Sequence, residues 1–327
     1  MPAHIPPARG LLRKALKLLT ECDVQQHAVK LLSGQASGCG RWYLGIDPNL
    51  RSTGYVVLNK SGRAVRWGSV QVSRGRSVIS GANLVASQLC ALRESMDVSS
   101  AHDERESGFG DAAQGAHSNS SDWVVGIEDF MKTFVAGRFQ TRSLFALAQF
   151  NGIVAYECTR TFGGRSGESE LLEPLLLHPT RVRSAFVLRK TEAVPDVKRV
   201  VFEFAQRREP RLSFCDPASG GAMGEWKLTR KGELASDNFD VTDAWLIAYY
   251  TRLVHFAEVM TACPALRDDF CSRLETLRQA GLGVRQDEAA RNPERVLHEA
   301  LVYWLVEQSE AEAVAQAAEA ERDVQDI

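Results

Sequence analysis

Two short apolar runs in this chain, Trp42-Tyr43-Leu44-Gly45-Ile46-Asp47 and Trp123-Val124-Val125-Gly126-Ile127-Glu128, each end on a carboxylate. Runs of this length and composition are expected as buried strands. An acid at the end of such a strand is costly to bury unless something positive neutralises it. A third acidic feature lies far along the chain. Asp240 and Asp243 are three residues apart in a helical pattern, so they share one side of the helix, directly before the apolar stretch Ala244-Trp245-Leu246-Ile247-Ala248. Carboxylates gathered from such places suit hard divalent cations, which prefer oxygen ligands. Three or four of them can hold two ions about 4 Å apart, the arrangement used for in-line phosphodiester hydrolysis. Each acid by itself also has a plainer use. Asp47 can form a turn, Glu128 an ion pair, and the Asp240/Asp243 pair a helix cap and dipole match.

The rest of the chain gives these acids a frame. Gly54-Tyr55-Val56-Val57-Leu58 reads as a second strand, joined to the first through the turn residues Pro48 and Asn49, and residues 64–73 alternate like a third antiparallel strand. Helical spacing follows over 81–96. Residues 97–122, rich in Ser, Gly, Asp and Ala, cannot bury enough apolar area to order themselves and read as a disordered surface insertion. A helix is predicted over 140–158, a short strand over 174–178, and a helix over 195–207 opening with Pro195 and Asp196. Residues 208–236 read as a long loop, Phe239 to about Met260 as a strong helix, and the remainder as helical with an acidic, Ala-rich tail. This order predicts an α/β fold in which a mixed sheet is flanked by helices.

Composition narrows the function classes. With 44% hydrophobic and 24% charged residues, the chain matches a soluble globular protein, and no stretch is apolar enough to span a bilayer. A net charge of −2 means that any nucleic-acid site must be a local patch. Seven cysteines, an odd number without a C-x-x-C pair, point to free thiols in a reducing compartment and give no zinc spacing. Residues 1–40 form a helical leader. Its first 20 residues hold Arg9, Arg13, Lys14 and Lys17 with no acid, the profile of a mitochondrial or plastid presequence. An ordinary first helix, or a small DNA-binding one, has the same pattern. The expected domains are therefore the leader 1–40, a body 41–259 interrupted by 97–122, and a helical extension 260–327.

The motif text is more specific. Gly45-Ile46-Asp47-Pro48 followed by Thr53-Gly54-Tyr55 resembles the first motif of the RuvC-like Holliday junction resolvases, within the RNase H-like superfamily. Ile127-Glu128 with Phe130-Met131, then Leu147-Ala148-Gln149 and Gly152-Ile153-Val154-Ala155, resembles the second motif and its helix. Asp240-x-x-Asp243-Ala244 with Leu246-Ile247-Ala248 resembles the last, and Val197-Lys198-Arg199-Val200-Val201 resembles the basic helix that faces DNA. All occur in the family's order, over roughly residues 41–255.

The resemblance implies an RNase H-like five-stranded mixed sheet and a homodimer that nicks opposing strands of a four-way DNA junction with two Mg²⁺ ions, Mn²⁺ substituting. Asp47, Glu128, Asp240 and Asp243 would be the catalytic metal ligands, with Asp47 on both ions. Phe130 would stack on unpaired bases. Lys132, Arg138, Arg142, Arg183, Lys198 and Arg199 would contact nucleic acid, mostly at phosphates. Asn49 stands where the family has glycine, a residue type that also tolerates a left-handed turn. The loop after Glu128 is longer and more basic than the bacterial pattern. The basic leader, the 26-residue insertion and the C-terminal extension are not bacterial features and favour an organellar version of the family. Two other readings stay open: a nuclease acting on RNA or RNA–DNA hybrid, and a non-catalytic RNA-binding or ribosome-assembly factor on the same fold.

Overall fold

The computed structural model describes residues 9–22, 24, 42–106, 123–129, 141–163, 173–186, 188, 196–214, 225–279 and 292–325. The chain divides into two compact units: residues 40–59 with 63–251, and residues 1–39 with 60–62 and 252–327.

The larger unit is built on a five-stranded mixed sheet of β1 (Trp42–Asp47), β2 (Ser52–Asn59), β3 (Ala64–Gln71), β4 (Trp123–Glu128) and β5 (Leu175–Leu177), in the order β3-β2-β1-β4-β5. β1, β2 and β3 form an antiparallel meander, whereas β4 and β5 join β1 as parallel neighbours. This is the mixed sheet flanked by helices expected from the sequence. Side chains alternate across a strand, which sorts the residues cleanly. Leu44, Ile46, Val57, Val125 and Ile127 point to one face. There they pack against Ala82, Val85 and Leu89 of α2 (Val78–Glu106) and Phe150, Val154 and Cys158 of α3 (Thr141–Phe162). α2 continues ten residues past the 81–96 read from the pattern, through the first part of the expected insertion; residues 107–122 lie outside the described residues.

The opposite face carries α4 (Pro179–Ala185), α5 (Val197–Arg208) and the start of α6 (Asp237–Thr261). Pro179 at the first turn presets the backbone of α4, and the Asp196 carboxylate caps α5 by accepting from the Lys198 amide at 3.0 Å. Phe186, Phe204, Trp245 and Tyr249 hold these helices together through ring contacts, Trp245 stacking on Tyr249 at 5.2 Å.

α6 approaches the sheet so closely that side chains cannot stand between them. A Cβ on Gly45 would lie 2.2 Å from the Ala244 carbonyl oxygen and 2.3 Å from the Ala248 nitrogen. A Cβ on Gly54 would lie 2.0 Å from the Asp240 carbonyl oxygen. Glycine is required for this contact of backbone on backbone, and the contact fixes where Asp240 and Asp243 stand.

In the smaller unit, α1 (Arg9–Glu21), α7 (Pro264–Gln279) and α8 (Pro293–Gln325) pack on one another. α1 buries Ala15, Leu18 and Leu19, α7 buries Leu266, Phe270 and Leu274, and α8 buries Leu297, Leu301 and Leu305. The helix read from the sequence as part of a leader therefore uses its apolar stripe within a folded unit. The units divide inside α6, between Thr251 and Arg252, rather than after residue 259. Among the described residues no helix is long and apolar enough to cross a membrane.

Candidate functional site

Asp47 and Glu128 end neighbouring parallel strands whose register pairs Gly45 with Gly126 and Ile46 with Ile127, so the two acids stand side by side. Period two puts Asp47 on the face of Gly45 and Glu128 on the face of Gly126. Both glycines face α6, since a Cβ on Gly126 would meet the Thr251 hydroxyl at 1.8 Å. The helix that covers these glycines brings Asp240 and Asp243 to the same end of the sheet. The four acids called from the sequence thus come together although they are up to 196 residues apart in the chain. Asp47, Asp240 and Asp243 are buried at 8%, 4% and 3% exposure.

Cations and donors surround them. Arg183, near the end of α4, places Nη2 3.1 Å from Asp243 Oδ1 and 3.9 Å from Glu128 Oε2. Its position follows from topology: β5 pairs Leu177 with Glu128, and α4 starts two residues later. The Ser52 hydroxyl, at the start of β2, donates to Asp240 Oδ2. Asn151 Nδ2, from α3, donates to the Glu128 carbonyl at 2.7 Å. Asp47, Glu128, Asp129, Asp243, Arg183 and Lys198 line a cleft of about 400 Å³, with Leu144 and Leu147 on its apolar wall.

Burial and crowding of like charge push the acids upward. Asp47 lies well above the ordinary carboxylate range, first because it is desolvated and then because Glu128, Asp243 and Asp240 repel its charge. Glu128 rises from 4.5 to about 7, through burial and then Asp243, with Arg183 opposing the rise. Asp240 rises from 3.8 to about 6 by burial, against the Ser52 hydrogen bond and Lys198. For Arg183, burial disfavours the charge, but Asp243 and Glu128 outweigh it and the guanidinium titrates above its ordinary value. Lys198 is raised in the same way, with Asp243 and Asp47 outweighing its burial.

Among the described residues no group of three or more His, Cys, Asp or Glu side chains is already drawn together tightly enough to hold a metal ion. The donor set nonetheless has the chemistry of a hard-cation site. It offers carboxylate oxygens on rigid elements, with no sulfur or imidazole in the cleft, and a surplus of negative charge that Arg183 and Lys198 offset only in part.

A pH dependence follows. Glu128 and Asp240 bind protons more tightly in the folded chain than in the unfolded one, so their contribution to stability is fully present below about pH 4. It is lost as pH rises through about 6 to 7. A divalent ion held by the same carboxylates would compete with those protons. Added Mg²⁺ should therefore raise the melting temperature more at about pH 8 than at about pH 5.5. Melting curves in EDTA and in Mg²⁺ at both pH values check this, and an equal rise at both contradicts it.

The basic residues called from the sequence fare unevenly. Arg183 and Lys198 line the cleft. Arg199 sits on the exposed flank of α5, paired with Glu203 at 3.1 Å, and does not line it. The reason is helical geometry: the next residue along a helix turns about 100° away. Arg142 is exposed at the start of α3 and does not line the cleft. Phe130, Lys132 and Arg138 lie outside the described residues. Sequence reasoning missed Ser52, Asp129 and Asn151. Asn151 had a readable signal, as a polar residue between the buried Phe150 and Val154.

No family model matches the chain, and no curated protein sequence matches it. Among solved structures it is similar to RuvC of T. thermophilus, in complex with a Holliday junction substrate. The identity is 13% and the TM-score 0.35, covering 66% of this chain and 94% of that one.

Proposed function

We propose that this chain is a divalent-metal-dependent endonuclease of the RNase H-like class that resolves four-way DNA junctions in the manner of the RuvC-type resolvases. One observation carries the reading: Asp47, Glu128, Asp240 and Asp243 meet at one end of the sheet, the first two and Asp243 in a cleft also lined by Arg183 and Lys198, and Asp240 in the cleft beside it. Mg²⁺ or Mn²⁺ bound there would supply a lowered water pKa and charge stabilisation at the leaving oxygen.

The chain's own residues have distinct parts. Asp47, Glu128, Asp240 and Asp243 would hold the ion, Asp47 standing among the other three. Ser52 holds Asp240 in one rotamer, and Asn151 ties down the backbone of Glu128. Arg183 balances Asp243 and Glu128, and would be freed from Asp243 if a divalent ion were held there. Freed, it faces an incoming phosphate together with Lys198. A non-catalytic RNA-binding role is disfavoured, because four acids in a binding cleft repel phosphate and cost burial energy with nothing gained.

Paired cuts require two sites, so the active species is taken to be a homodimer. Phe145 and Tyr156 support this, being exposed aromatics eleven residues apart on α3 and hence nearly on one side of it. An organellar address, mitochondrial or plastid, rests chiefly on the cationic N-terminus; fluorescence of a tagged chain in neither organelle would remove it.

Cleavage of a labelled four-way junction, linear duplex, RNA–DNA hybrid and single-stranded RNA in Mg²⁺, with the chain-to-junction ratio from sedimentation, tests the proposal. Preferential symmetric cutting of the junction at two chains per junction is expected. Cutting of the hybrid alone would move the substrate to RNA–DNA, and binding of RNA without any cutting would replace the nuclease reading by the assembly-factor one.

A further inference from the structure

A second cleft, of about 390 Å³, opens beside the first and shares Asn49 and Lys198 with it. Its walls are Arg51 and Ser52 at the start of β2, Gln71, Val72 and Arg74 at the end of β3, and Ser236, Asp237 and Asp240 at the start of α6. Asp240, whose charge acts on Asp47, is part of its wall, so whatever occupies this cleft reaches the carboxylate group.

The charges along it are unevenly matched. Both carboxylates on the wall are engaged: Asp237 holds Lys227 at 2.7 Å, and Asp240 accepts from Ser52. Arg51 and Arg74 are exposed, and among the described residues neither side chain forms an ion pair or hydrogen bond. Their spacing is nevertheless set by the fold, because the Val72 amide donates to the Arg51 carbonyl at 2.8 Å and locks the start of β2 to the end of β3. Two arginines with no acid to satisfy them, on a framed edge, with Lys198 at the junction to the acidic cleft, form a cationic path for a polyanion. A row of phosphates suits it better than a compact anion, since the cations are strung along a groove rather than converging on one point.

We propose that this cleft is a groove for the sugar-phosphate backbone of the strand being cut, Arg51 and Arg74 each contacting a phosphate that flanks the scissile one. The assignment rests on the phosphodiesterase reading for its position relative to the cut, and on the arginines for its occupancy. Arg51 and Arg74 act by charge, so lysine in their place retains most of the effect and glutamine does not.

The test is Arg51→Gln/Arg74→Gln in the full chain, with Arg51→Lys/Arg74→Lys as its conservative partner. Binding to a labelled four-way junction is read by fluorescence anisotropy in Ca²⁺ over a salt series, and cleavage by the wild-type chain is measured in Mg²⁺ alongside. Removal of two phosphate contacts should lower the slope of log affinity against log salt by about 2, and weaken binding by on the order of 10- to 100-fold at low salt. The lysine variant should keep the wild-type slope. Both glutamine sites are on the surface, and an unchanged melting temperature verifies the fold. An unchanged slope and affinity in the glutamine variant, while the wild type cuts its junction, overturns the groove and leaves the nuclease reading standing. A lowered slope in a chain that cuts nothing does the reverse. A wild type that binds no nucleic acid overturns both.

Discussion

Asp47→Asn is expected to abolish Mg²⁺-dependent cleavage while making the metal-free protein more stable. The loss should be on the order of 10³-fold or more, equivalent to about 4 kcal/mol of transition-state stabilisation. Asparagine keeps the size and one carbonyl oxygen but cannot carry the negative charge that draws a hard cation. The gain has a separate cause. Asp47 is 8% exposed and its carboxylate is opposed by desolvation and by Glu128, Asp243 and Asp240, so neutralising it relieves a strain that the folded chain carries near neutral pH. Each kcal/mol relieved moves the melting temperature of a domain of this size by about 2–4 °C. Junction affinity should hold or rise, because a charge that repels phosphate is gone. A purely structural Asp47 behaves in the opposite way, losing stability when replaced. Nuclease assays in Mg²⁺ and melting in EDTA separate the two, and a variant that cuts as well as the wild type removes Asp47 from the site.

Gly45→Ala should be among the most disruptive single changes available to the larger unit. The added methyl would meet the Ala244 oxygen at 2.2 Å and the Ala248 nitrogen at 2.3 Å. Both are backbone atoms of α6, so no side-chain rotation relieves the clash and the helix must lift from the sheet. Overpacking of this kind costs about 3 kcal/mol. Because the first two turns of α6 hold Asp240 and Asp243, cleavage should fall further than stability does. Gly152→Ala on α3 is the matched control. Nothing lies within 4 Å of its Cβ, and alanine in a helix gains about 1 kcal/mol over glycine. Denaturant unfolding of the two variants should therefore move in opposite directions. A Gly45→Ala chain as stable as the wild type would mean that α6 does not press on the sheet as described.

These two residues also mark what could be read before the fold was known. The sheet was legible because its strands are short apolar runs with period-two alternation. The acids were legible because each stands at the edge of such a run, where a charge is conspicuous. Gly45 and Gly126 were visible in both runs, but nothing local says that one helix covers both. That contact joins Gly45 to Ala244 and Gly126 to Thr251, far apart in the chain, and depends on strand order. Ser52 and Asn151 escaped for the same reason, being ordinary polar residues until Asp240 and Glu128 are set beside them. The basic helix was legible only as a segment. Which of Lys198 and Arg199 faces the cleft is a matter of about 100° of helical rotation, set when Val201 and Ala205, which lie on the Lys198 side of α5, are buried with Phe204. The end of α2 was misjudged by composition, since Ser-rich sequence continued as helix through Glu106.

The central claim is that carboxylates from β1, β4 and α6 form one cation site. Anomalous diffraction from a crystal of the wild-type protein soaked in Mn²⁺ tests it most directly. The account predicts manganese density bounded by Asp47 and Asp243, with the Arg183 guanidinium withdrawn from the 3.1 Å contact it makes with Asp243 here. Saturating Mn²⁺ that leaves no density among these side chains, with Arg183 still bridging Asp243 and Glu128, would contradict it.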